Sequence, residues 1–290
     1  MTARYVHVDV FAAGPMSGNG LAVFLHTEGW PTSVMQRLTQ EMRQIESIFL
    51  SHVGEGGASA RIFTEDEELP FAGHPILGAA AVLHRECAGD ASERTWDLAL
   101  VDRTVTVTTS IAGDGISAEM NQGPATFGAP LSAGEAAPLL QRLRLAADDV
   151  ADALPLQVVS TGLPYLVVPV RSDALGRAGV TAGRELEVLL AHVGARFAYL
   201  VDPVAREGRS WDNVGRMEDI ATGSAAGPVG AYLWAHGQAD DATAFELLQG
   251  RYLERPSRLR VRRDVQGNIF VGGEVWPFAR GELDIAILHA

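Results

Sequence analysis

Apolar residues alternate with polar ones through Tyr5-Val6-His7-Val8-Asp9-Val10-Phe11, the period of a strand with one buried face. Gly14 to Gly20 reads as a loop and Leu21 to Leu25 as a second strand. Pro31 with Thr32 and Ser33 opens a helix whose apolar stripe is Val34, Leu38, Met42 and Ile45. Glu46 falls just after that stripe, at the expected helix C-terminus, and Ile48-Phe49-Leu50 begins the next strand. Strands are predicted at Arg61–Thr64 and Thr104–Ile111. A helix is predicted over Ile76–His84, with Pro75 as its first residue. The Gly-, Pro- and Ala-rich stretch 112–130 reads as the link to a second half.

That half repeats the grammar. Strands are expected at Leu156–Ser160, Tyr165–Val170, Ala198–Val201, Leu259–Val261, Asn268–Val271 and Leu283–Ile287. Helices are expected at Ala133–Leu143, Arg184–Val193 and Ser224–Trp234. Strands outnumber helices, so the predicted fold is α+β, two similar halves, each a curved, mostly antiparallel sheet around one helix. The halves are drawn at residues 1–118 and 119–290, with room for the last strand, about 281–290, to return to the first half.

Composition narrows the function. The 290 residues carry a formal charge of −13, which argues against nucleic acid as a partner, and no Arg cluster points to an anionic membrane. The lone cysteine, Cys87, excludes an internal disulfide and any mechanism needing two thiols. No apolar run is long enough to span a bilayer. The strand-like N-terminus is unlike a signal peptide, so a cytoplasmic protein is expected.

Two segments share a layout: Glu68-Leu69-Pro70-Phe71-Ala72-Gly73-His74-Pro75 and Glu218-Asp219-Ile220-Ala221-Thr222-Gly223-Ser224-Ala225. Each has an acidic lead-in, then Gly followed by a polar residue, then an apolar run. Gly73 and Gly223 lie 150 positions apart, as in two related halves. A Gly-polar helix start aims backbone N–H groups at an anion, and a titratable group sits beside each one. This reads as a small-molecule site between two domains.

Glu46, at a helix C-terminus among Ile45, Ile48 and Phe49, would have its carboxylate disfavoured and its pKa raised, which suits general acid/base work. On position alone a solvated surface carboxylate is the favoured reading. His74 either binds substrate and shuttles a proton or caps its helix. Thr222 or Ser224 either caps the second helix or binds a substrate carboxylate. Asp219 either orients His74 or a substrate amine, or belongs to an acidic surface pair with Glu218. No metal-ligand spacing, phosphate loop, dinucleotide fingerprint or nucleophile elbow is present.

At these residues the chain resembles the PhzF-like family of phenazine biosynthesis. The likeness extends over Val8-Asp9-Val10-Phe11, Gly18 to Phe24, Glu46-Ser47, Glu68 to Pro75, Ser160 to Pro164, Glu218 to Pro228, Gln249-Gly250 and Arg255-Pro256-Ser257. It implies a diaminopimelate epimerase-like fold of two pseudo-symmetric halves, a homodimer, and an isomerase using neither cofactor nor metal. It further implies Glu46, His74 and Asp219 as catalytic residues, with Gly73, Gly223, Ser224, Thr222 and Ser47 binding substrate. The two cysteines of the epimerases are replaced by His74 and Ser224, so the proton work passes to Glu46. The candidate substrate is trans-2,3-dihydro-3-hydroxyanthranilate. The alternatives are an isomerase, epimerase or cyclase of another natural-product pathway, or a non-catalytic binding member. Two departures stand out: Arg216-Met217 runs straight into Glu218 where the family has a longer connection, and Gln44-Ile45 precedes Glu46 where Ser is common.

Overall fold

The computed structural model describes residues 3–240 and 243–284. The chain divides into two compact units, residues 1–121 with 272–290 and residues 122–271. In chain order the first stretch holds β1 (Ala3–Val10), β2 (Asn19–Leu25), α1 (Thr32–Met42), β3 (Glu46–Gly54), β4 (Gly57–Thr64), β5 (Glu68–Leu69), α2 (Gly73–Cys87), β6 (Glu93–Ala99), β7 (Thr104–Ala112) and β8 (Gly115–Pro124). There follow β9 (Thr126–Pro130), α3 (Ala133–Arg142), β10 (Gln157–Ser160), β11 (Pro164–Pro169), α4 (Ser172–Leu175), α5 (Glu185–His192) and β12 (Phe197–Asp202). The remainder is β13 (Glu207–Trp211), β14 (Glu218–Asp219), α6 (Gly223–Ala235), β15 (Phe245–Gln249), β16 (Ser257–Arg263) and β17 (Asn268–Leu283).

The first unit is a sheet closed on itself around α2. β1 pairs antiparallel with β2, β2 parallel with β3, β3 antiparallel with β4, and β4 parallel with β6. β6, β7 and β8 continue antiparallel, and β17 closes the ring between β8 and β1. The helix inside is apolar on every side, as a helix enclosed by a sheet must be, and its residues from Gly73 to His84 are all buried. Gly78 is where it lies closest to the wall: a Cβ there would stand 2.4 Å from Leu21 Cδ2. On the outer face, α1 covers β3 and β4 through Val34, Met35 and Leu38, packed against stacked Phe24 and Phe49.

The second unit repeats the pattern. β10 to β13 pair antiparallel, parallel and antiparallel, β13 pairs parallel with β15, and β15 pairs antiparallel with β16. β9 borders β10, as β17 borders β1 in the first unit. The enclosed helix is α6, apolar and buried from Ala225 to Trp234. The two-residue strand β14 returns on β13 as β5 returns on β4. Trp211 thus answers Phe63, 148 positions away, while Gly223 answers Gly73, 150 away, because the β13–β14 turn is two residues longer than its counterpart. The fold is α+β, two halves of one pattern, each a curved, mostly antiparallel sheet around a central helix.

Several boundaries differ from the sequence expectation. The stretch 112–130 is largely strand: Ile116, Ala118 and Met120 form a buried face of β8, and the division between units falls inside that strand. α2 begins at Gly73, so Pro75 is its third residue. β6, β13 and β15 lie where no strand is expected. The tail strand expected at Leu283–Ile287 is the end of β17 as far as Leu283, and residues 285–287 lie outside the described residues.

Candidate active site

In the first unit Arg43, in the left-handed conformation (φ 55°), ends α1 and turns the chain back. Glu46 therefore opens β3, paired with Leu21 on one side and Thr64 on the other, and does not sit at a helix end. Extended Ala72 leads into α2, whose second residue is His74. The imidazole Nδ1 lies 3.3 Å from Glu46 Oε2, with 7% of the His74 side chain and 13% of the Glu46 side chain exposed. Burial pushes the His74 pKa down to about 3, so the ring is neutral at pH 7. A neutral imidazole has one N–H and one lone pair, and its Nδ1 is the atom nearest the Glu46 carboxylate. His74 Nε2 is buried and makes no hydrogen bond within the described residues.

Ser47 is not brought to this pair. It is fully buried, and strand alternation sends its side chain to the opposite face from Glu46. Its hydroxyl has no hydrogen-bond partner within the described residues.

In the second unit Gly223 and Ser224 open α6, and Ser224 Oγ lies 2.7 Å from the hydroxyl of buried Tyr165. Thr222 is the residue before the helix, yet its side chain does not cap it. Its hydroxyl donates to Asp219 Oδ2 at 2.7 Å and accepts from Gln249 Nε2 at 3.0 Å, so it serves Asp219 and does not face outward to bind substrate. Glu218 is no surface acid. Arg209 Nε and Nη2 grip it at 2.8 and 2.7 Å, while Arg209 Nη1 donates to the carbonyls of Leu175 and Ala178. Trp211 and Tyr252 lie against the guanidinium, at 4.5 and 4.4 Å. The first unit has the same fork, Arg61 on Glu68, with Phe63 beside it.

The registers align the two units residue by residue. Leu21 faces Glu46 as Tyr165 faces Phe197, and Leu69 faces Ile62 as Asp219 faces Ser210. Phe197 thus stands where the first unit has Glu46, Ser224 where it has His74, and Asp219 where it has Leu69. One half carries the Glu46–His74 contact. The other carries a carboxylate, two linked hydroxyls and an aromatic ring. Tyr165 and Arg209 are the functional candidates that sequence reading passes over, and Gln249 is named there only within the segment Gln249-Gly250, without a role; pairing register is the signal that places them.

No group of three His, Cys, Asp or Glu able to hold a metal occurs among the described residues. The chain contains no lysine: all 23 residues counted as Lys or Arg are arginine. It therefore offers no ε-amine for the Schiff-base route to amino-acid isomerisation.

The model of the phenazine biosynthesis-like (PhzC-PhzF) family matches residues 8–275. The chain belongs to this family. A trans-2,3-dihydro-3-hydroxyanthranilate isomerase of Pseudomonas aeruginosa is 34% identical, over 96% of this chain and 98% of the relative. A solved structure from the same species, described as that of an epimerase inferred from sequence, is 50% identical with a TM-score of 0.91, covering 97% of this chain and 99% of the other. A probable proline racemase of Agrobacterium radiobacter, 14% identical, shares the fold with a TM-score of 0.61 over 98% of this chain and 93% of its own. The chain is an isomerase of the phenazine biosynthesis-like family.

Proposed function

We propose that the protein moves a proton within a small, carboxylated, cyclic amino-acid-like substrate, with Glu46 as the acid/base group. The observation that carries this is the contact between Glu46 and His74 at the start of α2, where the imidazole is neutral and buried. Glu46 takes the proton from a carbon, and His74 relays or holds it. Backbone N–H groups at the starts of α2 (Gly73) and α6 (Gly223), with the Ser224 hydroxyl, supply anion seats. Asp219 accepts a hydrogen bond from a substrate donor.

The first candidate substrate is trans-2,3-dihydro-3-hydroxyanthranilate, named for the 34% identical relative. Removal of the proton from its hydroxyl-bearing carbon leaves an electron pair that spreads over the conjugated diene. Protonation at the far end gives an enol, which tautomerises to the ketone. No atom is gained or lost. The test is incubation in deuterated water with loss of diene absorbance and uptake of deuterium followed together. Turnover that vanishes in Glu46→Gln supports the reading, and turnover that survives overturns Glu46 as the base.

A specific observation favours a second reading. The two Pseudomonas aeruginosa relatives differ in identity to this chain, 34% against 50%, so they are different proteins. The nearer of these two is described as a predicted epimerase, not by that isomerase name. The same half-sites would then move a proton in a different carboxylated substrate. Deuterium uptake into a panel of cyclic amino and hydroxy acids, with no reaction of the dihydro compound, would select it.

A further inference from the structure

We propose that Gln249 is a positioning residue for Asp219, acting through Thr222; the proposal rests on the reading that Asp219 works on the substrate. Gln249 ends β15 and is 1% exposed. Its Oε1 accepts from the Thr222 backbone N–H at 3.1 Å and from the Tyr199 hydroxyl at 3.0 Å. Its Nε2 donates to the Asp219 carbonyl at 2.8 Å and to Thr222 Oγ1 at 3.0 Å. These partners fix which end of the amide is which. A flipped amide would set oxygen against the Asp219 carbonyl and N–H against the Thr222 N–H. Because Thr222 Oγ1 receives a proton from Gln249, its own proton is free to go to Asp219 Oδ2 at 2.7 Å. Burial raises the Tyr199 pKa well above the ordinary value, which keeps its phenol a donor into the same amide. The chain Gln249 to Thr222 to Asp219 thus runs in one direction and ends on the carboxylate. It holds Asp219 as a hydrogen-bond acceptor, aimed for an N–H or ammonium donor on the substrate.

The repeat supplies the control. The registers place Leu69 where the second unit has Asp219, Ala72 for Thr222, Leu100 for Gln249 and Ile48 for Tyr199. All four first-unit residues are apolar, and their helix start forms without any such network. The fold does not require these hydrogen bonds. They occur only in the half whose two-residue return strand carries Asp219 beside its helix start.

The experiment reads Asp219 directly. In protein labelled at the aspartate carboxyl carbon, the Asp219 resonance is assigned with Asp219→Asn and recorded at pH 7 without any substrate. Thr222→Val and Gln249→Met should move and broaden it, and Thr222→Ser should return it to the wild-type position. Far-UV circular dichroism checks the fold, and Thr222→Val, which deletes one hydroxyl at constant shape, carries the test if Gln249→Met does not fold. An Asp219 resonance unchanged in a folded Thr222→Val overturns the proposal. With the dihydro compound as substrate, Thr222→Val should lower kcat/KM roughly tenfold to a hundredfold in the wild-type background and hardly at all in Asp219→Asn, the signature of action through Asp219. Equal losses in both backgrounds overturn it too. If the wild type does not turn the compound over, the substrate reading fails, and the resonance alone decides the role of Gln249.

Discussion

Burial of the His74 imidazole sets the sign of a pH effect on stability. Its pKa is about 3 in the folded chain, against roughly 6.5 in an unfolded one. Between those values the unfolded chain binds a proton that the folded chain refuses, so stability falls as pH is lowered through this window. Wild-type protein should lose about 2 kcal/mol between pH 7 and pH 5 that His74→Asn does not lose, measured by urea unfolding at both pH values. At Glu46 the expected effect is on chemistry and not on stability. Glu46→Gln keeps the shape and removes the base, so kcat should fall by roughly a thousandfold with little change in KM. A fall in KM-related binding with kcat preserved would assign Glu46 to substrate contact instead. Glu46, His74, Asp219 and the two Gly-polar pairs were all legible in the sequence, because each lies within a short motif. Tyr165 was not, and Gln249 was named only within a motif, without a role. Tyr165 is 59 residues from its partner Ser224 and Gln249 is 27 from Thr222, and only the pairing of strands brings them together.

Among the elements, the strands that escaped sequence reading share a physical cause. β13, Glu-Gly-Arg-Ser-Trp, looks like an exposed turn, yet Glu207, Gly208, Arg209 and Ser210 are buried. They tolerate burial because each polar side chain is paired: Glu207 with Arg251, Arg209 with Glu218, and Ser210 with the Ala198 carbonyl. β6 hides its alternation differently, since only Trp96 and Leu98 face the core between charged residues. The two Arg–Glu forks on β4 and β13 test what burial adds to one and the same interaction. The Arg61 side chain is 32% exposed and the Arg209 side chain 9%. Arg209→Met should cost about 3–5 kcal/mol, since it leaves Glu218 and three carbonyls without their partner, whereas Arg61→Met should cost about 1 kcal/mol. Denaturant unfolding of both variants measures the difference, and equal costs would show that water reaches the Arg209 fork as readily as the Arg61 fork.

Across the molecule, the duplicated grammar was readable from two motifs 150 residues apart, each followed by the apolar run that becomes the enclosed helix. The path of the chain between units was legible in part: a return to the first half was allowed for at about 281–290, and it begins at Gly272. Gly, Pro and Ala in 112–130 suggested a linker, whereas β8 and β17 each contain residues of both units. The second unit is one continuous stretch, 122–271, and the first is interrupted by it. Expressed alone, residues 122–271 should give a cooperative thermal transition with strand-rich circular dichroism. Residues 1–121 alone should not, because β1 and β8 would lack β17 between them. The same interruption sets an order of events during translation. Every strand of the second unit up to Val271 has left the ribosome before residue 272 appears, and the closing strand of the first unit comes after it. The half that carries Glu46 and His74 begins the chain but is completed last. Until then the sheet around α2 stands open between β8 and β1, and released chains ending at Val271 should be cut by protease in the first half while the second resists.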